Sequence, residues 1–352
     1  MISLIEKYKK YLPVTDNTPI ISIGEGDTPL IKLNNIFKEL DSSLNVFAKF
    51  EGLNPTGSFK DRGMTLALSK AKEEGATAVI CASTGNTSAA AAAYSARAGI
   101  RCIVIVPSGQ IALGKLAQAM IHGAQVLQID GNFDKGLEVV KQLQNDHHLV
   151  LVNSMNPYRR KGQKTAAFEI VDSLGQAPDY HAIPVGNAAN IAAYWEGYKE
   201  YSENLPKMLG YQASGAAPMV LGANVQNPET IATAIRIGAP QSYDLAKSAQ
   251  MESKGWFASI TDEMLIATQL RLASTEGIFA EPASIASIAG LYEDIKLGKI
   301  AKGSLITCTL TGHGLKDPNV VINNLSDRVD SVSADYGHIS EHIGSYLNVK
   351  HS

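Results

Sequence analysis

Lys60 stands in the stretch NPTGSFKDRG, residues 54 to 63, where a Pro-Thr-Gly turn delivers the chain into the helical pattern SFKDRGMTLALSKAKEEG. Ser58 and Asp61 have the spacing of a capping box. That spacing puts Lys60 in the first helical turn, where the partial positive charge of the helix end disfavours an ammonium. An amine that gives up its proton readily is what Schiff-base chemistry requires. A lysine beside a helix start is by default a surface charge, so the chemistry depends on what other loops bring to it.

Those loops follow strands. TAVICA (77–82), RCIVIVP (101–107), QVLQID (125–130) and LVLVNS (149–154) alternate with helical patterns, SAAAAAYSARAG, roughly 111–122 and 134–147. A second series follows: a helix over about 160–174, the strand YHAIPVG, the helix AANIAAYWEGYKEY and the strand MVLGANV. Helices near 229–236, 261–276 and 283–297 and the strand SLITCTL (304–310) complete it. Near-continuous Val/Ile/Leu strands are buried on both faces, which marks parallel sheets covered by helices. The fold class expected is α/β, with two three-layer domains in series. The larger is expected over 1–47 and 153–352, the smaller over 48–152, with the tail after about 326 peripheral.

Open parallel sheets bind ligands beyond the carboxyl ends of their strands. There the chain has STGNT (83–87), NSMNPYRR (153–160), GNAAN (186–190) and TGHG (311–314), each rich in small polar residues. One such loop is ordinary turn chemistry; four at equivalent positions, with Lys60, describe a crevice. GNAAN opens a helix and offers backbone N–H groups to a phosphate. STGNT does the same for a second anion, such as a carboxylate. Arg159 and Arg160 could hold a further anion or be surface charges.

The chain has 352 residues, 45% apolar and 18% charged, with a net charge of −3. Nothing there favours nucleic acid or an anionic membrane as partner. Cys81, Cys102 and Cys308 lie in apolar runs and read as buried thiols of a reducing compartment. No signal peptide or membrane-length apolar run is visible, so a cytoplasmic location is expected. No C-x-x-C occurs, and no metal site is expected.

NPTGSFKDRG, STGNTSAA, NSMNPYRRKGQKTAAFEI, GNAAN, GIFAEPASIASIAGL and TGHGLKDP, with GEGDTPL before them, resemble the threonine synthases of the shorter bacterial and archaeal type in order and spacing. The resemblance runs from about residue 22 to 320. It implies the tryptophan-synthase-β-like, fold-type II class of pyridoxal-phosphate enzymes, with the cofactor in the cleft between two α/β domains. The reaction implied is β,γ-replacement, O-phospho-L-homoserine and water giving L-threonine and phosphate, the last step of threonine biosynthesis. Lys60 would hold the cofactor and act as base, Asn86 would contact its phenolic oxygen, and Thr311 its pyridine nitrogen. The backbone of Gly186, Asn187, Ala188, Ala189 and Asn190 would hold the cofactor phosphate. Ser83, Thr84 and Thr87 would take the substrate carboxylate; Asn153, Ser154, Arg159 and Asn187 its phosphate. Arg159 ranks above Arg160 because it follows Asn-Pro-aromatic. One departure is Ala189, where the family commonly has glycine: a positive φ there would cost about 1 kcal/mol, a helical φ nothing.

Other readings remain. A related dehydratase or cysteate synthase would share the cofactor, but dehydratases usually carry a glycine-richer phosphate loop and lack TGHGLKD. HISEH (338–342) fits H-x-x-E-H, two histidines one helical turn apart as in zinc peptidases, with no supporting third ligand. A scaffold without catalysis would lack the lysine or the phosphate loop. Glu281 and His313 are titratable groups near the motifs, read as structural. A homodimer is expected from the class, with the helix of Tyr194, Trp195 and Tyr198 offering either an apolar surface or core.

Overall fold

A computed structural model describes residues 2–107, 113–130, 136, 138–140, 142–143, 149–325 and 329–348. Residues Met1–Asp317 form one compact unit and Pro318–Ser352 a second. The first unit holds two sheets. The larger has the order β1-β2-β10-β7-β8-β9, with β1 Leu30–Lys32, β2 Asn45–Phe50, β7 Tyr180–Pro184, β8 Lys207–Ala213, β9 Trp256–Ile260 and β10 Leu305–Leu310. Only its edge pair β1/β2 is antiparallel. The smaller, β5-β4-β3-β6, is parallel throughout, with β3 Ala78–Ala82, β4 Arg101–Pro107, β5 Gln125–Ile129 and β6 Val150–Leu151.

The apolar runs do what their burial demands. β3 and β7 are buried along their whole length, as strands between helix layers must be. Cys81, Cys102 and Cys308 are buried free thiols in β3, β4 and β10. Alanines 89–93 sit at the packed face of the helix Asn86–Ala98, which ends at Gly99 in the left-handed conformation. β2 lies wholly in the larger sheet, on both sides of residue 47.

Several elements differ from expectation. MVLGANV is no strand: Pro218 starts a single helical turn, Pro218–Leu221, and Gly222 (φ 71) ends it with Val220 and Leu221 exposed. The strand at this point of the chain is β8, KMLGYQA, whose Gly210 and Gln212 disguise it. Gly210 admits the Phe257 ring and the Val185 side chain. The buried Gln212 amide bonds Val185 O and Met219 N. The region about 160–174 is two helices, Pro157–Gln163 and Thr165–Leu174; the Thr165 hydroxyl donates to Gly162 O at 2.7 Å at the break. A helix Tyr243–Glu252 was not expected, and near 229–236 only the 3-10 turn Thr233–Ile235 forms. The helix expected over 134–147 lies largely outside the described residues.

Tyr194, Trp195 and Tyr198 belong to the core between the helices and the larger sheet, at 5% exposure or less, so they offer no external surface. In the second unit, the helix Tyr336–Asn348 carries HISEH. His338 lies 3.8 Å from Asp335, and His342 3.1 Å from Asp330, all solvent-exposed. Among the described residues no cluster of three metal-binding side chains exists, and no helix is long and apolar enough to cross a membrane.

Candidate active site

The loops that carry the motifs are tied to one another. The turn before Lys60 pairs with the loop after β10: Phe59 N–H donates to Thr311 O (3.0 Å) and His313 N–H to Gly57 O (2.9 Å). Ser58 and Gly312 form an isolated bridge. The Asn187 amide donates to Ser154 Oγ at 2.8 Å, joining the loop after β7 to the loop after β6. Asn86 Nδ2 reaches Glu281. Thus Lys60, STGNT, NSMNP, GNAAN and TGHG are assembled in one region, as the strand ends of two parallel sheets require.

The Lys60 helix is Lys60–Glu73, and no side chain caps it. The capping box read from Ser58 and Asp61 does not form. Asp61 instead turns back to Thr56, accepting its N–H at 2.7 Å and its hydroxyl at 2.5 Å. That ties down the Pro-Thr-Gly turn, and burial pushes the Asp61 carboxyl up to about 7 against those two bonds. The Lys60 amine is drawn down to about 7, first by burial and then by the Arg159 cation, with Glu281 opposing. The amine does titrate near neutrality, but desolvation and a second cation do it.

Arg159 comes close because two helices cross without side chains between them. Gly63 faces the Arg159 backbone, where an added Cβ would stand 2.8 Å from Arg159 O and 3.1 Å from its Cα. Gly162 faces the Arg62 carbonyl more tightly still, with an added Cβ only 2.0 Å from Arg62 O. Arg159 is 1% exposed; one guanidinium nitrogen bonds Val152 O at 3.1 Å and Nε has no partner. Burial lowers its pKa to about 10. A buried cation with an open donor and no carboxylate is built to meet an anion. Arg160, in contrast, pairs with Glu196 at 3.1 Å.

The GNAAN loop opens a helix, as expected. Ala188 takes the left-handed φ of 68° and the helix Ala189–Tyr201 follows with no side chain capping its N-terminus. Ala189 is helical, so its replacement of glycine costs nothing; the strained position is Ala188. Gly186 packs against the Ile235 backbone, 2.9 Å from where a Cβ would be. The buried Asn190 amide has both polar atoms unpartnered, and an oxyanion at the helix end would accept from its Nδ2. Thr311 is buried, its hydroxyl 3.0 Å from Ser284 Oγ, a neutral pair with no carboxylate bonded to it.

Other residues are otherwise engaged. The Asn153 amide bonds both backbone groups of Ala82 at 2.9 Å, fixing the start of the Ser83 loop. The Asn187 side chain is held by Ser154 and by Gln241 N (2.7 Å). Ser83 Oγ accepts from Gly85 N (3.2 Å), while Thr84 and Thr87 are half-buried. An added Cβ on Gly85 would meet nothing within 4 Å, leaving open space over this loop. His313 bonds Leu315 N at 3.1 Å and stacks on Phe50, a structural role.

Behind Lys60 lies a buried charge network that the motifs did not reveal. Arg62, fully buried, bonds Glu51 at 2.6 and 2.8 Å and Glu169 at 2.7 and 2.6 Å. Lys49 adds a bond of 2.6 Å to Glu169. The Arg62 and Lys49 cations hold the Glu169 carboxyl down to about 2 despite its burial.

A half-buried lysine whose amine is held near neutrality by burial and by the Arg159 cation is suited to Schiff-base chemistry with a carbonyl cofactor. The chain matches the pyridoxal-phosphate dependent enzyme family over residues 21–312, and it belongs to that family. Solved structures with the same fold include the processed form of threonine deaminase isoform 2 from Solanum lycopersicum (TM-score 0.73, 24% identity, 83% of this chain and 86% of that one). Maize serine racemase aligns with TM-score 0.74 and 19% identity over 86% and 92%. Within the family, its relatives include the threonine synthase of Halalkalibacterium halodurans, 58% identical over 92% of each chain. That of Synechocystis is 56% identical over 93% of this chain and 86% of the relative, and that of Methanocaldococcus jannaschii 52% over 90% and 81%.

Proposed function

We propose that this chain converts O-phospho-L-homoserine and water to L-threonine and phosphate, as a pyridoxal-phosphate dependent threonine synthase. The observation that carries this reading is the 52–58% identity to threonine synthases over nearly the whole chain. Pyridoxal phosphate, when bound, supplies an electron sink for carbanions beside an amino group. Lys60 is assigned as the residue that would hold the cofactor and, as a free amine, would take the substrate proton at Cα, give it up again, and only then take one at Cβ. A pKa near 7 suits both duties, since the amine is a free base for part of the time and a proton donor for the rest.

The N-terminus of the helix Ala189–Tyr201, with the Asn190 amide, is assigned to the cofactor phosphate. Asn86 is assigned to the ring oxygen and Thr311 to the ring nitrogen, where a hydroxyl leaves the ring a weaker sink than a carboxylate would. The STGNT loop, Ser83, Thr84 and Thr87, receives the substrate carboxylate beside the open space at Gly85. Arg159 receives the substrate phosphate and keeps it near the carbon that water must attack. Ser154, Asn153 and Asn187 serve that subsite by holding its loops. The two sheets act as two lobes, the smaller formed by about 51–152, with the cofactor between them. A cytoplasmic homodimer completes the reading.

The test compares the native protein with Lys60→Ala for phosphate release from O-phospho-L-homoserine, with amino-acid analysis of the product. Threonine equal to phosphate, abolished by the substitution, is expected. Phosphate with 2-oxobutyrate would refute the synthase reading in favour of an elimination enzyme. No turnover in a yellow protein would refute the substrate and leave the cofactor.

A further inference from the structure

Glu281 is the N-cap residue of the helix Pro282–Lys296, yet its side chain caps nothing there. The short N-caps Ser, Thr, Asp and Asn accept from the first free N–H groups of their own helix; the longer Glu281 side chain does not. Here the Glu281 N–H is anchored on Gly312 O at 3.0 Å, and the side chain, 4% exposed, turns away from the helix to Asn86. Both carboxylate oxygens lie against the same amide nitrogen, at 3.2 and 3.1 Å. Gly312 makes this course open: a Cβ there would stand 2.5 Å from Glu281 Cδ and 2.9 Å from Oε2. The pair bridges the helix after β3 of the smaller sheet and the helix leading to β10 of the larger.

We propose that Glu281 is a positioning residue that fixes the Asn86 amide with its nitrogen held by the carboxylate, leaving one amide hydrogen to donate to the cofactor ring oxygen. An amide has two N–H groups and one acceptor; without Glu281 it rotates freely and presents either end. This rests on the assignment of Asn86 as a cofactor contact.

The test titrates pyridoxal phosphate into the apoprotein and records both affinity and the visible absorption band. Asn86→Ala and Glu281→Ala are each expected to weaken binding about tenfold, the loss of one charge-assisted hydrogen bond, and to shift the band in the same direction. The double variant should lose no more than either single one. Glu281→Gln, which keeps an acceptor at the same reach, should restore affinity and band, whereas Glu281→Asp, which keeps the charge but falls short, should not. If Glu281→Ala fails to fold, the Gln and Asp variants decide alone. A Glu281→Asp or Glu281→Ala protein with native affinity and band, beside a shifted Asn86→Ala, overturns the proposal, as does full additivity. An Asn86→Ala protein identical to the native one overturns instead the assignment of Asn86, and the role of Glu281 falls with it.

Discussion

Replacing Gly63 with alanine tests whether the bare helix crossing sets the chemistry of Lys60. The added Cβ would stand 2.8 Å from Arg159 O and 3.1 Å from Arg159 Cα, while ordinary contact begins at 3.4 Å. Both atoms are backbone, so no side chain can rotate away. The helix Pro157–Gln163 must therefore recede by about 0.6 Å, the difference 3.4 − 2.8. Overpacking of this kind costs about 1–3 kcal/mol, and the better helix propensity of alanine returns about 1 kcal/mol. A fall in Tm of no more than about 4 °C is expected. Function should suffer more, because misplacement by about 1 Å can cost about a hundredfold in rate, so about tenfold is expected here. Withdrawal of the Arg159 cation also raises the pKa of Lys60. Phosphate release gives kcat/KM, and cofactor uptake by the apoprotein as a function of pH reports Lys60. Gly344→Ala, whose Cβ meets nothing within 4 Å, is the control. Gly162→Ala, which overlaps the Arg62 carbonyl outright, should act more strongly in the same sense. Unchanged kcat/KM and an unchanged pH midpoint in a protein whose Tm has fallen would refute the reasoning, because the crossing would then be packing alone.

Cofactor uptake by the native apoprotein should rise with pH through about 7, as the Lys60 amine loses its proton. In Arg159→Ala the midpoint should move to higher pH, since a neighbouring positive charge that favours the neutral amine has gone; the KM for O-phospho-L-homoserine should rise about tenfold or more. Arg160→Ala, which removes only a pairing with Glu196, should leave both within about twofold. A midpoint that stays or falls in Arg159→Ala, by absorbance titration, would count against the repulsion. Ala188→Gly relieves a left-handed φ of 68° and should raise stability by up to about 1 kcal/mol, read from denaturant unfolding without cofactor; a loss would mean that alanine is not strained there.

The site was legible where the fold makes residues adjacent to strand ends. STGNT, GNAAN and TGHG follow β3, β7 and β10 directly, so identifying the strands located the loops. What holds these loops was not legible, because its members are scattered and have no spacing. Lys49 lies in a strand, Arg62 in the first turn of one helix and Glu169 within another, and no motif or spacing links the three. The only signal was a set of charges inside apolar stretches. The same limit explains Asp61, whose spacing from Ser58 matches a capping box but whose partner is Thr56. It also explains β8, where Gly210 and Gln212 answer to Phe257, Val185 and Met219 rather than to the strand's own pattern.

The buried network places expensive charged groups around Arg62, two residues along the helix from Lys60. Two cations, Lys49 and Arg62, face two carboxylates, Glu51 and Glu169, so the charges cancel in a region buried from solvent. Such a set contributes little net stability compared with apolar packing of equal volume, and losing one member costs about 3–5 kcal/mol. Its directional bonds do something apolar packing does not. The Arg62 fork fixes the rotation of the Lys60–Glu73 helix relative to Glu51, at the end of β2, and to Glu169 on Thr165–Leu174. Lys60 lies only two residues before Arg62, so that rotation also sets the direction of the Lys60 side chain. Gly63 and Gly162 then fix how near Arg159 comes. Direction is set by the charges and distance by the missing side chains, and the reactivity of the amine follows from both.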